Sequence, residues 1–195
     1  GGILLNQSNN VTIIKNIINV SENAILIDRS GNFSINNLLA ISTGEFATIN
    51  ITRQGSDGRV HNSTIISSTN HAVFMNDSNR TVFMDSTLTG GSGSTDFAAS
   101  VYDGYLYLLN STFTTSKLNV TSGGNGLIIV QWYLRFRVNS TTGVSIQNAN
   151  VTLYNTTWQY EDSWLSDSNG LTTQRNLTQY VVTPTIFSFF TNYSA

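Results

Sequence analysis

The sequence predicts an all-β protein that begins as a short parallel β-helix, or β-solenoid, and ends as a small antiparallel β-sandwich. A tetrapeptide recurs at spacings of 21 to 26 residues, and short apolar runs recur in phase with it. An alternating apolar stretch appears only after a glycine-rich segment near residue 125. The alternative is an antiparallel sandwich throughout, in which hairpins of similar length imitate a repeat.

The tetrapeptide runs from a polar residue to an apolar one. A period of this size, with short strands and no helix signal, is typical of a stacked β-solenoid. Because alternate residues of a strand point inward, we expect the last residue of each copy to lie in one buried column. The copies are Lys15-Asn16-Ile17-Ile18, Asn36-Asn37-Leu38-Leu39, Asn62-Ser63-Thr64-Ile65, Asp85-Ser86-Thr87-Leu88 and Asn110-Ser111-Thr112-Phe113.

Two further apolar tracks complete the repeat. Segments of about 4–6 residues between clusters of Gly, Asn, Asp and Ser are typical of strands and turns. Three strands and three bends per period therefore predict one coil, whose backbone pairs with the coils above and below. The first track is 24–28, 46–50, 72–76 and 98–102, and the second is 33–35, 60, 82–84 and 106–109.

The composition excludes several classes of partner. Charged residues make up 10% of the chain and the net charge is −2, without a basic run, so we expect no nucleic-acid partner. The absence of Cys excludes a disulfide framework and a thiolate metal site. No apolar stretch approaches the ~20 residues that a membrane span needs. We expect no cofactor and no metal. The chain opens on Gly1-Gly2-Ile3 without a charged leader, so we expect a mature, processed form.

Asn-x-Ser/Thr tripeptides are unusually frequent. They occupy 15 of the 24 Asn residues, whereas the 49 Ser and Thr among 195 residues predict about 6 by chance. This excess predicts an extracellular protein whose covalent N-glycans solvate a surface that is poor in charge. The candidate acceptors are Asn6, Asn10, Asn19, Asn32, Asn50, Asn62, Asn76, Asn79, Asn110, Asn119, Asn139, Asn150, Asn155, Asn176 and Asn192.

The repeat stops at the segment Gly123-Gly124-Asn125-Gly126, which predicts a domain boundary there. We therefore expect a β-solenoid over residues 1–125 and a β-sandwich over residues 126–195. The stretch 127–138 is long for a coil strand, and from Trp132 to Val138 apolar and polar residues alternate. Such alternation is typical of an antiparallel strand with one buried face.

The C-terminal part contains the strand 134–138, Thr142-Gly143, the Asn148–Leu153 strand, the Asp167-Ser168-Asn169-Gly170 turn and Leu177. In these elements it resembles the carboxypeptidase regulatory-like, prealbumin-type β-sandwich module of secreted proteins, over roughly residues 130–185. The Pro that usually follows the Gly turn is absent here, since Ser145 follows Val144. The resemblance implies a module without catalysis of its own, which packs against other domains or extends surface proteins.

The coiled part, through its Asn-Ser-Thr-apolar track, resembles the right-handed parallel β-helix of pectate lyase-like secreted proteins and of many archaeal surface proteins. Polysaccharide-cleaving members need clustered carboxylates, or Asp with a basic residue, in a groove. No paired Asp-Asp, Gly-His-Gly or Arg-x-Lys element is present, and His61 and His71 look isolated, so we expect no enzyme. The carboxylates weighed for catalysis are Asp28 with Arg29, Asp77 with Arg80, Asp85 and Asp103.

Two weaker signals point to ligands. The Asp167–Gly170 segment looks like the start of a calcium loop, but residues 171–179 contain no acid, so we expect a turn. Tyr102, Tyr105 and Tyr107 suggest a sugar-stacking strip, although three tyrosines are few for a binding platform and packing roles are preferred.

Both ends of the chain are apolar and suggest joints between copies. An apolar terminal strand needs cover on both faces, and an open sheet edge offers backbone groups that a neighbour completes. We therefore expect a homopolymer that assembles head-to-tail by terminal strand donation, although both ends folding back into their own domain is the alternative. The candidate assembly residues are Ile3, Leu4, Leu5, Ile186, Phe187, Phe189 and Phe190.

These observations predict a heavily N-glycosylated structural protein at the cell surface, a subunit of an extracellular filament, pilus or surface layer. Low charge, no Cys and dense acceptors suggest an archaeal source. The alternative function is a secreted polysaccharide-binding or polysaccharide-cleaving β-helix protein. The alternative fold, the antiparallel sandwich throughout, would be pilin-like.

Overall fold

In the computed structural model, residues 1–53, 57–155, 157–190 and 193 are described. The chain divides into two compact units. Unit 1 comprises Gly1–Val130 with Val181–Phe187, and unit 2 comprises Gln131–Tyr180 with the residues from Ser188 onward. It stays a prediction that residues 1–125 and residues 126–195 fold as separate domains.

Unit 1 is a β-solenoid of about five coils, in which each coil supplies one strand to each of its sheets in turn. A short 3-10 helix, Thr115–Lys117, follows the fifth coil. The strands are β1 (Ile3–Asn6), β2 (Thr12–Ile14), β3 (Ile17–Val20), β4 (Ile25–Asp28), β5 (Phe33–Asn36), β6 (Leu39–Ser42), β7 (Ile49–Thr52), β8 (Gly58–His61), β9 (Thr64–Ser67), β10 (Val73–Asn76), β11 (Arg80–Met84), β12 (Thr87–Thr89), β13 (Ala99–Val101), β14 (Tyr105–Leu109) and β15 (Leu118–Val120).

Five further strands lie in unit 2 or are shared by the two units. They are β16 (Leu127–Leu134), β17 (Asn150–Tyr154), β18 (Tyr160–Leu165), β19 (Arg175–Val182) and β20 (Phe187–Phe189). Strands β16, β19 and β20 contain residues that belong to each unit.

The solenoid strands form three sheets. Sheet A has the order β1-β4-β7-β10-β13-β15, sheet B has β2-β5-β8-β11-β14-β16-β19-β20, and sheet C has β12-β9-β6-β3. The pairings between successive coils are parallel, for example β1 with β4 and β5 with β8. The predicted parallel β-solenoid is confirmed, and the antiparallel sandwich throughout is wrong.

Apolar residues at equivalent positions of successive coils form continuous buried columns. In sheet A the register stacks Ile25, Ile49, Val73 and Ala99, which are all fully buried. Fully burying a Val or Ile side chain contributes roughly 1.5–3 kcal/mol. The order of the strands thus follows from the sequence, because each coil can bury its apolar face only against its neighbours.

One glycine is required by this stacking. Gly58 begins β8 beside Phe33 of the preceding coil, and a Cβ atom on Gly58 would lie 2.1 Å from the Phe33 ring. Phe33 therefore fills the space that a side chain at position 58 would occupy.

The inward column of sheet C corrects the predicted alignment by one residue. Ile18 pairs with Ala40, Ala40 with Ile65 and Ile65 with Leu88, so Leu39 does not belong to this column. Leu39 pairs with Ile17 and stays half-buried, whereas Ala40 is fully buried. A shift of one residue moves a side chain to the opposite face of a strand, which is why the error matters.

The turn between sheets B and C has the same backbone conformation in every coil. Its first residue has a left-handed φ between 47° and 55°, which Asn and Asp adopt more easily than most residues. This column of turn residues, named the left-handed column below, consists of Lys15, Asn37, Asn62, Asp85 and Asn110. It shows that Asn37, and not Asn36, is the true counterpart of Asn62.

A serine ladder follows the left-handed column. Ser63, Ser86 and Ser111 come directly after left-handed residues and are buried. Each hydroxyl accepts a hydrogen bond from a backbone N–H of the preceding coil: Leu38 to Ser63 at 3.1 Å, Ser63 to Ser86 at 3.1 Å and Ser86 to Ser111 at 3.3 Å. The ladder satisfies backbone donors that the turn would otherwise leave buried without partners.

Unit 2 is antiparallel where its pairing is recorded. Strands β17 and β18 pair antiparallel with an irregularity between Leu153 and Tyr154, and an antiparallel bridge joins Arg137 to Leu171. Leu153 and Trp164 are buried, and the Trp164 ring lies 6.0 Å from that of Phe136. The predicted antiparallel elements of this part of the chain are confirmed.

Candidate functional surfaces

The 14 candidate glycan acceptors that the structure describes are all exposed or half-buried residues; Asn192 lies outside the described residues. Ten are exposed: Asn6, Asn10, Asn19, Asn32, Asn62, Asn79, Asn110, Asn139, Asn150 and Asn176. Four are half-buried: Asn50, Asn76, Asn119 and Asn155.

Several exposed acceptors lie at turns between sheets of the solenoid. Asn62 and Asn110 belong to the left-handed column, and their side chains bond along it. The amide of Asn62 donates to Asn37 Oδ1 at 2.5 Å, and the amide of Asn110 donates to Asp85 Oδ1 at 2.7 Å. Each amide nitrogen carries two hydrogens, so one remains available for substitution.

Two of the half-buried acceptors, Asn119 and Asn50, differ in their hydrogen bonds. Asn119 donates through Nδ2 to Ser100 Oγ at 3.1 Å and to Thr121 Oγ1 at 3.2 Å. Asn50 lies in the middle of β7, and its Oδ1 is buried without a hydrogen-bond partner among the residues described. An Asn in the interior of a strand is less accessible to glycosylation than an Asn at a turn.

The candidate assembly residues divide into exposed and buried ones. Near the first strand, Leu4 is 61% exposed, Ile3 is half-buried, and Leu5 is buried in the core of sheet A. Leu5 therefore packs inside its own solenoid. The C-terminal residues Ile186, Phe187, Phe189 and Phe190 are between 43% and 61% exposed.

The C-terminal strand folds back on its own chain. Within unit 1, Thr183 N–H donates to Ile186 O at 2.9 Å and closes a turn. Within unit 2, Phe190 N–H donates to Gln179 O at 2.7 Å, and the Phe189 ring lies 5.3 Å from that of Tyr180. Strand β20 is the last strand in the described order of sheet B, next to β19, and its Phe187 and Phe189 are 43% and 61% exposed.

Asp28 is the most enclosed carboxylate of the solenoid, and two cations bind it. Arg53 of the next coil lies 2.7 Å from Oδ1 and Arg29 lies 3.2 Å from Oδ2. Burial raises the pKa of Asp28, but hydrogen bonds and charge attraction from Arg29 and Arg53 outweigh burial, so its pKa lies below the ordinary value. A carboxylate neutralised by two arginines is a cross-coil brace and a poor general base.

His61 is not isolated, contrary to the sequence-based interpretation. Its Nε2 lies 3.1 Å from Asp85 Oδ2, and Asp85 also receives the Asn110 amide. The pair is partly exposed at the turn between sheets B and C. An Asp-bound imidazole has the orientation that general base catalysis requires, but two residues do not make a catalytic set.

His71 has a structural partner as well. Its Nδ1 accepts a hydrogen bond from Phe97 N–H at 3.2 Å, and its ring lies 5.4 Å from that of Phe97. Burial lowers the pKa of His71, and the charge of Asp96 opposes this effect only in part. A neutral imidazole with Nδ1 as acceptor is therefore part of the folded turn.

Tyr105 and Tyr107 share the outer face of sheet B with arginines of the two preceding coils. The register places Arg80 beside Tyr105, and the Arg80 guanidinium lies 5.1 Å above the Tyr107 ring. Arg80 also forms an ion pair with Asp57 at 3.8 Å. Tyr105 is 46% exposed, while Tyr102 lies in the turn after β13 and is 36% exposed.

The Asp167 segment forms a turn. Its carboxylate accepts hydrogen bonds from the backbone N–H groups of Asn169 at 2.8 Å and Leu171 at 2.9 Å. These hydrogen bonds lower the pKa of Asp167, and the bond from Leu171 has a larger effect than the bond from Asn169. No group of three potential metal-ligating side chains occurs within the described ranges.

The part of the chain that the structure describes contains no helix with the length and apolar character of a membrane crossing. Comparison of the sequence with protein-family models and with curated proteins finds no match, so the function must be inferred from the residues themselves.

Proposed function

We propose that this chain is an N-glycosylated structural subunit of an extracellular filament or surface layer at the cell surface, and that it has no catalytic role. The observation that carries the proposal is that all 14 acceptors within the described residues are exposed or half-buried, in a protein with 10% charged residues. N-glycans would supply the solvation that charges supply on ordinary soluble domains. The only permanent partners proposed are covalent glycans and further copies of the chain.

Strand β20 supports the polymer part of the proposal. Its residues Phe187, Ser188 and Phe189 carry no charge, although natural edge strands usually carry Lys, Pro or a bulge that prevents pairing. Exposed aromatic side chains on an edge of this kind suit addition of a strand from a second copy. A contact between two different surfaces of one chain propagates head-to-tail and builds a fibre.

The finer assignments belong to the same proposal. An archaeal source is suggested by the low charge, the absence of Cys and the dense acceptors. The resemblance of residues 130–185 to a prealbumin-type module suggests a structural role for this part of the chain, as in secreted surface proteins. Donation of a terminal strand remains the proposed form of the contact.

Electron microscopy of native material tests the assembly. We expect filaments or sheets from the parent chain and their loss in the variant Phe187→Ser/Phe189→Ser, because polar side chains remove the apolar edge. Phe46→Ser is the matched control, since Phe46 is 55% exposed on a loop of unit 1 and belongs to no proposed joint. Circular dichroism should report the same fold for all three proteins.

Polymers that persist in the double variant contradict the role of β20. Intact-mass measurement tests the glycans separately. A native mass equal to that of the bare 21.3 kDa chain would eliminate the glycoprotein part of the proposal.

A second candidate function, binding or cleavage of a polysaccharide, is favoured by the outer face of sheet B. There Tyr105 and Tyr107 lie beside Arg80, and the His61–Asp85 pair lies where strands β8 and β11 of the same sheet end. Aromatic rings with charged hydrogen-bond donors suit sugar rings. Titration calorimetry with neutral and acidic oligosaccharides, on the parent and Tyr105→Ala, would detect binding, and a heat signal that Tyr105→Ala abolishes would favour this function.

A further inference from the structure

The glycan acceptors Asn10 and Asn32 occupy equivalent positions on adjacent coils. Both have a left-handed backbone, with φ of 59° and 49°, just before strands β2 and β5. Asn10 N–H donates to Gly31 O at 3.3 Å, and Asn9 forms a parallel bridge with Gly31. The two acceptors are therefore neighbours across a coil boundary and not merely similar in sequence.

This stacking limits the space at each acceptor. Paired strands lie about 4.8 Å apart, and residues of matching φ at matching positions direct their Cα–Cβ bonds in parallel. The amide that links a sugar to Asn is planar, so only rotation about the Cα–Cβ and Cβ–Cγ bonds can turn the two first sugars apart. A pyranose ring with its hydroxyl groups and hydration is broader than the spacing between two coils.

Asn62 and Asn110 provide the contrast within the same solenoid. Both lie in the left-handed column, but Asp85 occupies the position between them. The two acceptors are thus two coils apart, which corresponds to about 9.6 Å. Asp85 cannot carry an N-glycan, so a glycan on Asn62 or Asn110 has the space of two coils.

We propose that Asn10 and Asn32 are mutually exclusive glycosylation sites, whereas Asn62 and Asn110 are modified independently of each other. This inference rests on the proposed glycosylation and adds a rule to it: one N-glycan requires more than one coil of a turn column. The molecule then carries fewer glycans than its acceptors allow, and adjacent-coil acceptors act as alternatives.

Site-resolved glycopeptide mass spectrometry on protein from the native host tests the rule. In the parent, we expect the fractional occupancies of Asn10 and Asn32 to sum to no more than one. Removing the acceptor hydroxyl of the more occupied site, by Thr12→Ala or Ser34→Ala, keeps both asparagines and their backbone. The occupancy of the other site should then rise, by about twofold if the parent divides the glycan equally.

Thr64→Ala is the matched control, because it removes the acceptor sequence of Asn62 and should leave the occupancy of Asn110 unchanged. A parent sum above one, or no rise at the second site, overturns the rule while leaving the glycoprotein proposal intact. The rule is also overturned if neither Asn10 nor Asn32 carries a glycan in a protein that is modified at Asn62, because the spacing between coils leaves room for a glycan at one of the two. A chain without any glycan refutes the proposed glycosylation itself, and the rule with it.

Discussion

Unit 1 and unit 2 reach stability in different ways. In unit 1, each coil repeats the buried positions of the coil before it, so columns such as Ile25, Ile49 and Val73 form without a gap. In unit 2, the buried apolar side chains that the structure describes are Leu153, Trp164 and Tyr180. The difference shows that repetition makes the core of a solenoid continuous from coil to coil, whereas the described core of the small antiparallel unit consists of a few large side chains.

The serine ladder of unit 1 and Trp164 of unit 2 differ in how their buried polar groups are satisfied. The ladder satisfies backbone donors with three hydroxyls, those of Ser63, Ser86 and Ser111. In unit 2, the Nε1 atom of Trp164 is buried without a hydrogen-bond partner among the residues described. Mutations at these positions should therefore affect the two units to different degrees.

The largest effect is expected in the solenoid core. Phe83 is fully buried between Val60 and Leu108 of the flanking coils. Phe83→Ala should lower the free energy of unfolding by about 3–5 kcal/mol, because it removes packing and leaves a cavity. Chemical denaturation measures the change, and Phe46→Ala on the exposed loop should stay within about 0.5 kcal/mol. Equal effects would refute the assigned register.

A smaller effect is expected in the serine ladder. Ser86 Oγ accepts the Ser63 N–H at 3.1 Å and donates to Met84 O at 2.7 Å. Ser86→Ala leaves the buried Ser63 N–H unsatisfied, which costs about 1–3 kcal/mol. Hydrogen exchange should show faster exchange at Ser63, and Ser92→Ala, on an exposed loop, should show no change. Unchanged protection at Ser63 would contradict the ladder.

A still smaller effect is expected at Trp164 of unit 2. Trp164→Phe loses some packing but also removes an unpaired buried N–H, so the two changes offset each other. We expect a loss of about 1 kcal/mol or less, against about 3–5 kcal/mol for Trp164→Ala. Thermal unfolding monitored by circular dichroism compares the two variants. A large loss in Trp164→Phe would mean that the indole N–H has a partner.

The smallest expected effect concerns pH and returns to unit 1. Because burial lowers the pKa of His71 in the folded state, the unfolded chain binds the proton first as the pH falls. Stability should therefore decrease as the pH drops below about 6.5, the unfolded value, and continue to decrease until the folded pKa is reached. Urea unfolding between pH 8 and pH 5 measures this slope, and His71→Gln should flatten it. An equal slope in the variant would assign the pH dependence to other groups.

The repeat alone was sufficient to predict the parallel solenoid, because period, strand length and turn composition agreed across five copies. It was not sufficient to fix the register at the second coil. Asn36 and Asn37 offered two alignments, and the choice depended on which residue adopts the left-handed turn, a property of the folded backbone. The result was the error at Leu39.

The contacts between coils also could not be predicted from the sequence. His61 and Asp85 are 24 residues apart, and only the correct register brings them within 3.1 Å. The serine ladder did leave a signal, since Ser63, Ser86 and Ser111 recur at the coil period. Small polar residues that recur at the period of a solenoid indicate buried hydroxyl bonds to the backbone, as well as surface polarity.

The left-handed column has a consequence for how the molecule could change in length. Successive column residues are 22 to 25 positions apart, and the backbone N–H groups of the first four donate to carbonyls of the next coil. Duplication of one such segment would insert a further coil and lengthen the solenoid of unit 1 by about 4.8 Å. The length of this solenoid is thus a quantity that evolution can adjust in steps of one coil.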